Sequence, residues 1–162
     1  MKKIFIVIIS LFFTANIFAQ ETKLYNPAAD AEKDIAAAVK QAKAEHKYVL
    51  VMGGGNWCSW CIEFARFTKA DPQIDSIINS AFIWYHLNFS KENKNLKTLA
   101  RLGYPQRFGF PVFIILNEHG ERIHTQNSEY LEDGKKSYDK NKVKDFLEMW
   151  SPKALDGKQY SE

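Results

Sequence analysis

The sequence has only two cysteines, two residues apart, so it cannot be a disulfide-stapled scaffold. Five prolines and eight glycines exclude a collagen-like or low-complexity chain. No block of like charge is present to serve as a polybasic membrane anchor or an acidic tail. Lys and Arg number 22 against 19 Asp and Glu, a formal net charge of +3. Two of those lysines, Lys2 and Lys3, lie in a leading segment expected to be removed, which brings the balance close to neutral. Such a chain has no electrostatic footprint for nucleic acid. After the first twenty residues, no apolar run is long enough to span a bilayer. What remains is 162 residues, 46% of them hydrophobic and 14% aromatic, enough to bury the core of one domain.

The leading segment has the layout of a secretory signal. Met1-Lys2-Lys3 is a short basic start, Ile4 to Phe13 is apolar except for Ser10, and small residues follow near Ala19. A membrane anchor needs about 20 apolar residues, and Thr14 and Asn16 interrupt this stretch before that length. Ile17 is bulkier than an ideal cleavage site prefers, so the cut is placed after Ala19 or Gln20. Residues 1–20 then form a signal peptide and residues 21–162 a single exported domain. No stable membrane insertion is expected once the signal is cleaved.

Export changes how Cys58 and Cys61 are read. Disulfides form readily outside the reducing cytosol. A bridge between two cysteines this close closes a very short loop, however, and removes little chain entropy. A structural role is therefore weak, and a redox role is the natural alternative.

Periodicity supplies the element order. Asp30 to Glu45 reads as a helix, with Ile35, Val39 and Ala42 at helical spacing. Tyr48 to Met52 reads as a buried strand, ended by Gly53-Gly54-Gly55. A helix is expected from the cysteines to about Thr68, and Asp71-Pro72 opens another toward Asn79. Phe82 to Phe89 reads as a strand and Lys91 to Leu102 as an exposed helix with Leu96 and Leu99 inward. Pro111 to Leu116 is a third strand, turning at Asn117 to Gly120 into Glu121 to Thr125. Glu129 to Asp139 reads as polar loop, Asn141 to Trp150 as an amphipathic closing helix, and Pro152 to Glu162 as a loose tail. Strands alternating with helices imply an α/β fold: a central mixed sheet covered on both faces, its last two strands a hairpin.

The chemistry is carried by Trp57-Cys58-Ser59-Trp60-Cys61, between a strand and a helix. The first cysteine falls at a helix N-terminus, where free backbone N–H groups and the positive dipole end favour a thiolate. A thiolate is the attacking species in disulfide exchange. The second cysteine lies one turn deeper, where it faces the first and is shielded. This spacing suits one exposed nucleophile and one resolving thiol.

These residues resemble the thioredoxin superfamily. The resemblance runs from Val49-Leu50-Val51-Met52 through Asn56-Trp57-Cys58-Ser59-Trp60-Cys61. It continues in Arg107-Phe108-Gly109-Phe110-Pro111-Val112-Phe113-Ile114-Ile115-Leu116 and in Glu118-His119-Gly120-Glu121. It covers roughly Asp30 to Trp150 in the right order and implies the thioredoxin-like three-layer fold. Trp60 in the second variable position, and the long segment before Pro111, look like the exported members. The resemblance also implies a cis Phe110–Pro111 bond that packs against Cys58. Cis peptides are nearly confined to bonds before proline, and such a turn can present the Phe110 backbone to an extended substrate chain. Without the resemblance, an ordinary trans proline opening a strand would be the expectation. Trp57, Trp60, Phe110 and Pro111 are the candidate substrate-binding residues, although Trp57 could equally belong to the core.

Two positions depart from the family pattern. Where thioredoxin has a buried acid, this chain has Met52. His86 stands where the family has a lysine. The usual buried ion pair is absent. His86 is then either a satisfied core or edge histidine, or a group that handles protons for Cys61.

Other signals are weak. Gly53-Gly54-Gly55 lacks the Lys-Ser/Thr ending of a phosphate loop and reads as a flexible approach to the site. His46, His86, His119 and His124 form no ligand-spaced pair with the cysteines, so no metal is expected. Ile62 follows Cys61 where covalent haem would need His. No cofactor is required. The expected function is an exported, periplasmic or secreted thiol–disulfide oxidoreductase of thioredoxin fold, working in the reductase or isomerase direction. Its partners would be proteins or peptides with disulfides and a membrane thiol reductant, with the chain a monomer. The competing readings are a non-catalytic peptide-binding module and a maturation factor dedicated to one envelope protein.

Overall fold

The computed structural model describes residues 23–161, so the signal segment and its cut after Ala19 or Gln20 lie outside the described residues. Four strands form one mixed sheet in the order β2-β1-β3-β4. They are β1 (Tyr48–Gly54), β2 (Phe82–Asn88), β3 (Val112–Leu116) and β4 (Arg122–Asn127). Strand β1 pairs parallel with β2 and antiparallel with β3, and β3 pairs antiparallel with β4. The helices are α1 (Ala31–Glu45), α2 (Ser59–Ala70), α3 (Pro72–Ala81), α4 (Leu96–Arg101) and α5 (Lys140–Met149).

Residue alternation in β1 assigns the two faces of the sheet. Val49 and Val51 point into a core with Ile35, Ala38 and Ala42 of α1, Leu99 of α4, and Ile114 of β3. Leu50 and Met52 point the other way, into a core with Phe64 of α2, Ile74 and Ile78 of α3, and Val143, Phe146 and Leu147 of α5. The three-layer expectation therefore holds. Burying each of these side chains larger than alanine contributes about 1.5–3 kcal/mol against chain entropy. Asp30, Asp71 and Asp139 cap α1, α3 and α5 through their carboxylates, and Pro72 occupies the first turn of α3. Each carboxylate cap is worth about 1 kcal/mol.

Four expectations change. Helix α4 starts at Leu96 rather than Lys91, and Leu96 is 60% exposed while Leu99 is fully buried. Asparagine side chains bond the backbone of the preceding segment and compete with a helix there. Asn88 donates to the Asn93 carbonyl (2.9 Å), Asn95 donates to the Asn88 carbonyl (2.7 Å), and Asn95 sits in the left-handed region at φ 48°. Residues 129–139 are not a plain polar loop: a 3-10 turn spans Ser128–Leu131, Glu132 bridges Tyr138, and Tyr138 is buried. The tail carries a further 3-10 turn at Gly157–Tyr160. Finally, β1 runs on into the glycine run, where Gly53 and Gly54 still pair with Leu87 and Asn88, and ends at Gly54 rather than Met52.

Candidate active site

Strand β1 and helix α2 meet at Cys58, the N-cap of α2. Its backbone is extended, and its sulfur takes the place usually held by a capping oxygen, accepting the Cys61 backbone N–H at 3.2 Å. Cys58 and Cys61 form a disulfide, with their Cα atoms 5.2 Å apart. Cys58 is 5% exposed and Cys61 fully buried, so both cysteines are buried and the expected exposed nucleophile shows only a sliver of surface. No carboxylate stands in the first turn of α2 to oppose a negative sulfur.

The glycine run lets the strand pass beneath this disulfide. A Cβ on Gly54 would overlap the Cys61 sulfur and come within 2.7 Å of the Tyr25 hydroxyl. A Cβ on Gly55 would overlap the Trp57 indole and come within 2.7 Å of the Phe89 carbonyl oxygen. Close packing, rather than the expected flexibility, requires glycine at both positions.

The Phe110–Pro111 bond is cis and Pro111 is buried. Phe110 stacks on Phe89 at 4.9 Å and meets Trp57 edge-on at 5.7 Å. The Trp57 indole N–H donates to the Phe89 carbonyl at 2.7 Å while the side chain remains 59% exposed. Trp57 is therefore a surface residue beside the cysteines, not core. Trp60 lies on the other side of α2, half-buried and edge-on to Tyr138 at 5.4 Å. The Tyr138 hydroxyl donates to the Trp60 carbonyl at 3.0 Å. The structure thus brings Trp57 and Phe110 together and holds Trp60 apart from them, on the Tyr138 segment.

Reasoning from sequence missed three residues here. Phe89 lies one position beyond β2 and gives no motif signal. Tyr138 sits in a polar run that hides its burial. Tyr25 is 1% exposed, and its backbone is held to the cysteine loop by Asn56. The Tyr25 N–H donates to Asn56 Oδ1 at 3.0 Å and Asn56 Nδ2 donates to the Tyr25 carbonyl at 2.8 Å. Such a reciprocal pair across 31 residues leaves no local pattern.

His86 stands opposite Met52 in the β1–β2 register, and its ring packs against Trp84 (4.9 Å) and Tyr25 (5.6 Å). Burial pulls its pKa down to about 4. Its Nε2 is buried without a partner among the described residues, so it is not the satisfied histidine of the simpler expectation. Met52 is fully buried in the same core cluster as both cysteines.

No curated protein matches the chain. Among solved structures, it is similar to a disulphide isomerase from Xylella fastidiosa Temecula1, with a TM-score of 0.67 and 23% identity. That likeness covers 77% of this chain and 94% of the other. The C-terminal domain of Neisseria meningitidis DsbD in its reduced form is similar with a TM-score of 0.54 and 20% identity, over 74% of this chain and 96% of that one. At these identities the likeness establishes a shared fold. Residues 30–118, more than half of the chain, match the thioredoxin-like family. They include β1, the cysteine pair at the head of α2 and the cis proline before β3. The chain therefore belongs to the thioredoxin-like family and carries, in Cys58 and Cys61, the dithiol/disulfide pair of a thiol–disulfide oxidoreductase.

Proposed function

We propose that the protein is an exported thiol–disulfide oxidoreductase that reduces or isomerises disulfides of protein substrates, with Cys58 as nucleophile and Cys61 as resolving thiol. One observation carries the assignment: Cys58 caps α2 and its sulfur accepts the Cys61 N–H, while Cys61 is sealed beneath it. In the reduced protein, the Cys58 thiolate attacks one sulfur of a substrate disulfide. The substrate S–S bond breaks, a mixed disulfide forms, and the second substrate sulfur leaves with the electron pair and takes up a proton. Cys61, on losing its proton, attacks the Cys58 sulfur. The mixed disulfide breaks, the remaining substrate thiol departs, and the Cys58–Cys61 bridge is restored. The substrate gains two electrons and the protein loses two.

Trp57, Phe110 and Pro111 supply the apolar rim along which an extended substrate segment would lie, with Trp60 on the far side of α2. Export rests on the signal-like segment of residues 1–20, with residues 21–162 as the working domain. No helix of the described residues is long and apolar enough to cross a membrane. An oxidising compartment requires a thiol donor for the reducing direction, and a membrane reductant is the class of partner that fits. The protein would work as a monomer.

Trapping tests the assignment. In Cys61→Ser the mixed disulfide cannot be resolved internally, so substrates accumulate covalently on Cys58. Cys58→Ser traps nothing and loses insulin reduction with dithiothreitol. Equal insulin reduction by the parent and Cys58→Ser would favour a peptide-binding module. A single trapped envelope protein would point to a dedicated maturation factor.

A further inference from the structure

Tyr25 brings a buried hydroxyl toward Cys61, the fully buried cysteine of the disulfide. The hydroxyl and the Cys61 sulfur crowd the same point above the Gly54 Cα, since a Cβ built there would collide with both. The residue is 1% exposed, and its hydroxyl finds no hydrogen-bond partner among the described residues. A buried hydroxyl left unsatisfied costs about 1–3 kcal/mol. Its position is nevertheless tightly held. Asn56, two residues before Cys58, clamps the Tyr25 backbone from both sides. Asn93 donates to the Pro27 carbonyl at 3.1 Å and holds the segment from the far end. The ring packs edge-on against His86.

The orphaned hydroxyl accompanies the disulfide state. In the disulfide, the Cys61 sulfur carries no charge and no hydrogen bond joins it to the Tyr25 hydroxyl. Reduction turns it into a thiol or thiolate, a sulfur with stronger acceptor capacity that flanks the same point over Gly54 as the O–H. Resting on the oxidoreductase reading above, we infer that Tyr25 is a further residue of the redox centre, whose hydroxyl donates to the Cys61 sulfur once the disulfide opens. Burial holds the Tyr25 hydroxyl far above its ordinary pKa, so it keeps its proton and acts as a fixed donor. The titratable groups that bear on it are His86, whose ring packs against it and which burial keeps neutral at physiological pH, and Tyr138 in the same core, which burial likewise keeps protonated. No carboxylate is in that set, so the hydroxyl does what no acid at Met52 can do. It stabilises Cys61 as it loses its proton for the resolving attack. The hydroxyl is satisfied in the dithiol form and orphaned in the disulfide form, so it also shifts the equilibrium toward the dithiol.

Tyr25→Phe tests both consequences, because it keeps the ring and removes only the oxygen. Equilibrated against glutathione, the variant should favour its disulfide roughly threefold to tenfold more than the parent, the range of one net hydrogen bond. Tenfold corresponds to about 30 mV for this two-electron couple. In a Cys58→Ser background, thiolate absorbance near 240 nm should show the Cys61 pKa rising when Tyr25→Phe is added. The oxidised variant should melt no lower than the parent, since it loses an unpartnered hydroxyl, whereas a merely structural tyrosine would show the opposite. An unchanged glutathione equilibrium, a shift toward the dithiol, or an unmoved Cys61 pKa would each overturn the inference. Failure of the parent itself to reduce insulin would instead overturn the oxidoreductase reading, and the equilibrium measurements would still report on Tyr25.

Discussion

The backbone N–H of Cys61 donates to the sulfur of Cys58 across 3.2 Å. The sulfur thus sits at the N-terminal end of α2, against an N–H of its first turn. Charge on Cys58 is favoured by this donor and by the dipole end, with no carboxylate in that turn to oppose it. Charge on the sealed Cys61 lacks both. The Cys58 thiol should therefore titrate well below the ordinary value of about 8.5, and Cys61 above Cys58. Alkylation across a pH series, followed by peptide mapping, measures both. If Cys61 is labelled first at neutral pH, the two roles are reversed.

His86 makes a separate contribution to stability against pH. Burial lowers its folded pKa to about 4, whereas an unfolded histidine titrates near 6.5. Between those values the unfolded chain binds the extra proton, so stability falls as pH drops through this window and is fully present above it. The loss from this group between pH 7 and pH 4.5 should be about 2–3 kcal/mol. Urea midpoints for the parent and His86→Leu at the two pH values isolate it, because the carboxylates common to both proteins cancel. Identical pH dependence in the two proteins would show that His86 titrates normally.

Most of the frame was legible because it follows local rules. Val49 to Met52 is an apolar run of strand length, Asp71-Pro72 is a cap followed by a first-turn proline, and Cys58 precedes a helical pattern. Each reports its own surroundings. The cysteine pair and the cis proline were readable for the same reason, helped by a family pattern. The residues that escaped depend on partners far along the chain. Tyr25 is positioned by Asn56, and Tyr138 by the backbone of Trp60 across 78 residues. The need for glycine at 54 and 55 is hidden in the sequence, because composition reports conformational freedom, while the collision a side chain would cause is visible only once Cys61, Tyr25 and Phe89 are in place. The late start of α4 has a similar origin. Lys91 to Asn95 has helical composition on its charged residues, but Asn93 and Asn95 find better partners in β2 and the Pro27 segment.

Met52 bears on the redox poise of the pair. It is fully buried in the core cluster that holds both cysteines and is registered between His86 and Phe113. A carboxylate there would repel a Cys58 thiolate and so disfavour the reduced, charged form. A thioether has no charge and leaves that form undisturbed. The disulfide should then be a stronger oxidant than that of thioredoxin, at roughly −270 mV. No cation stands between the cysteines, where Ser59 and Trp60 lie, so the potential should stop short of the strongest oxidants, at roughly −120 mV. An intermediate value suits reduction or isomerisation by a protein kept charged with electrons by a thiol donor. Met52→Asp should move the potential down toward the thioredoxin value, while Met52→Leu, which keeps the volume and adds no charge, should leave it near the parent's. Equilibration against glutathione, read by the mass shift on alkylation, measures all three proteins. A parent value at or below thioredoxin's would mean that another group performs the function of the missing acid. His86→Leu would then be the first variant to make, because His86 is the buried polar group registered opposite Met52.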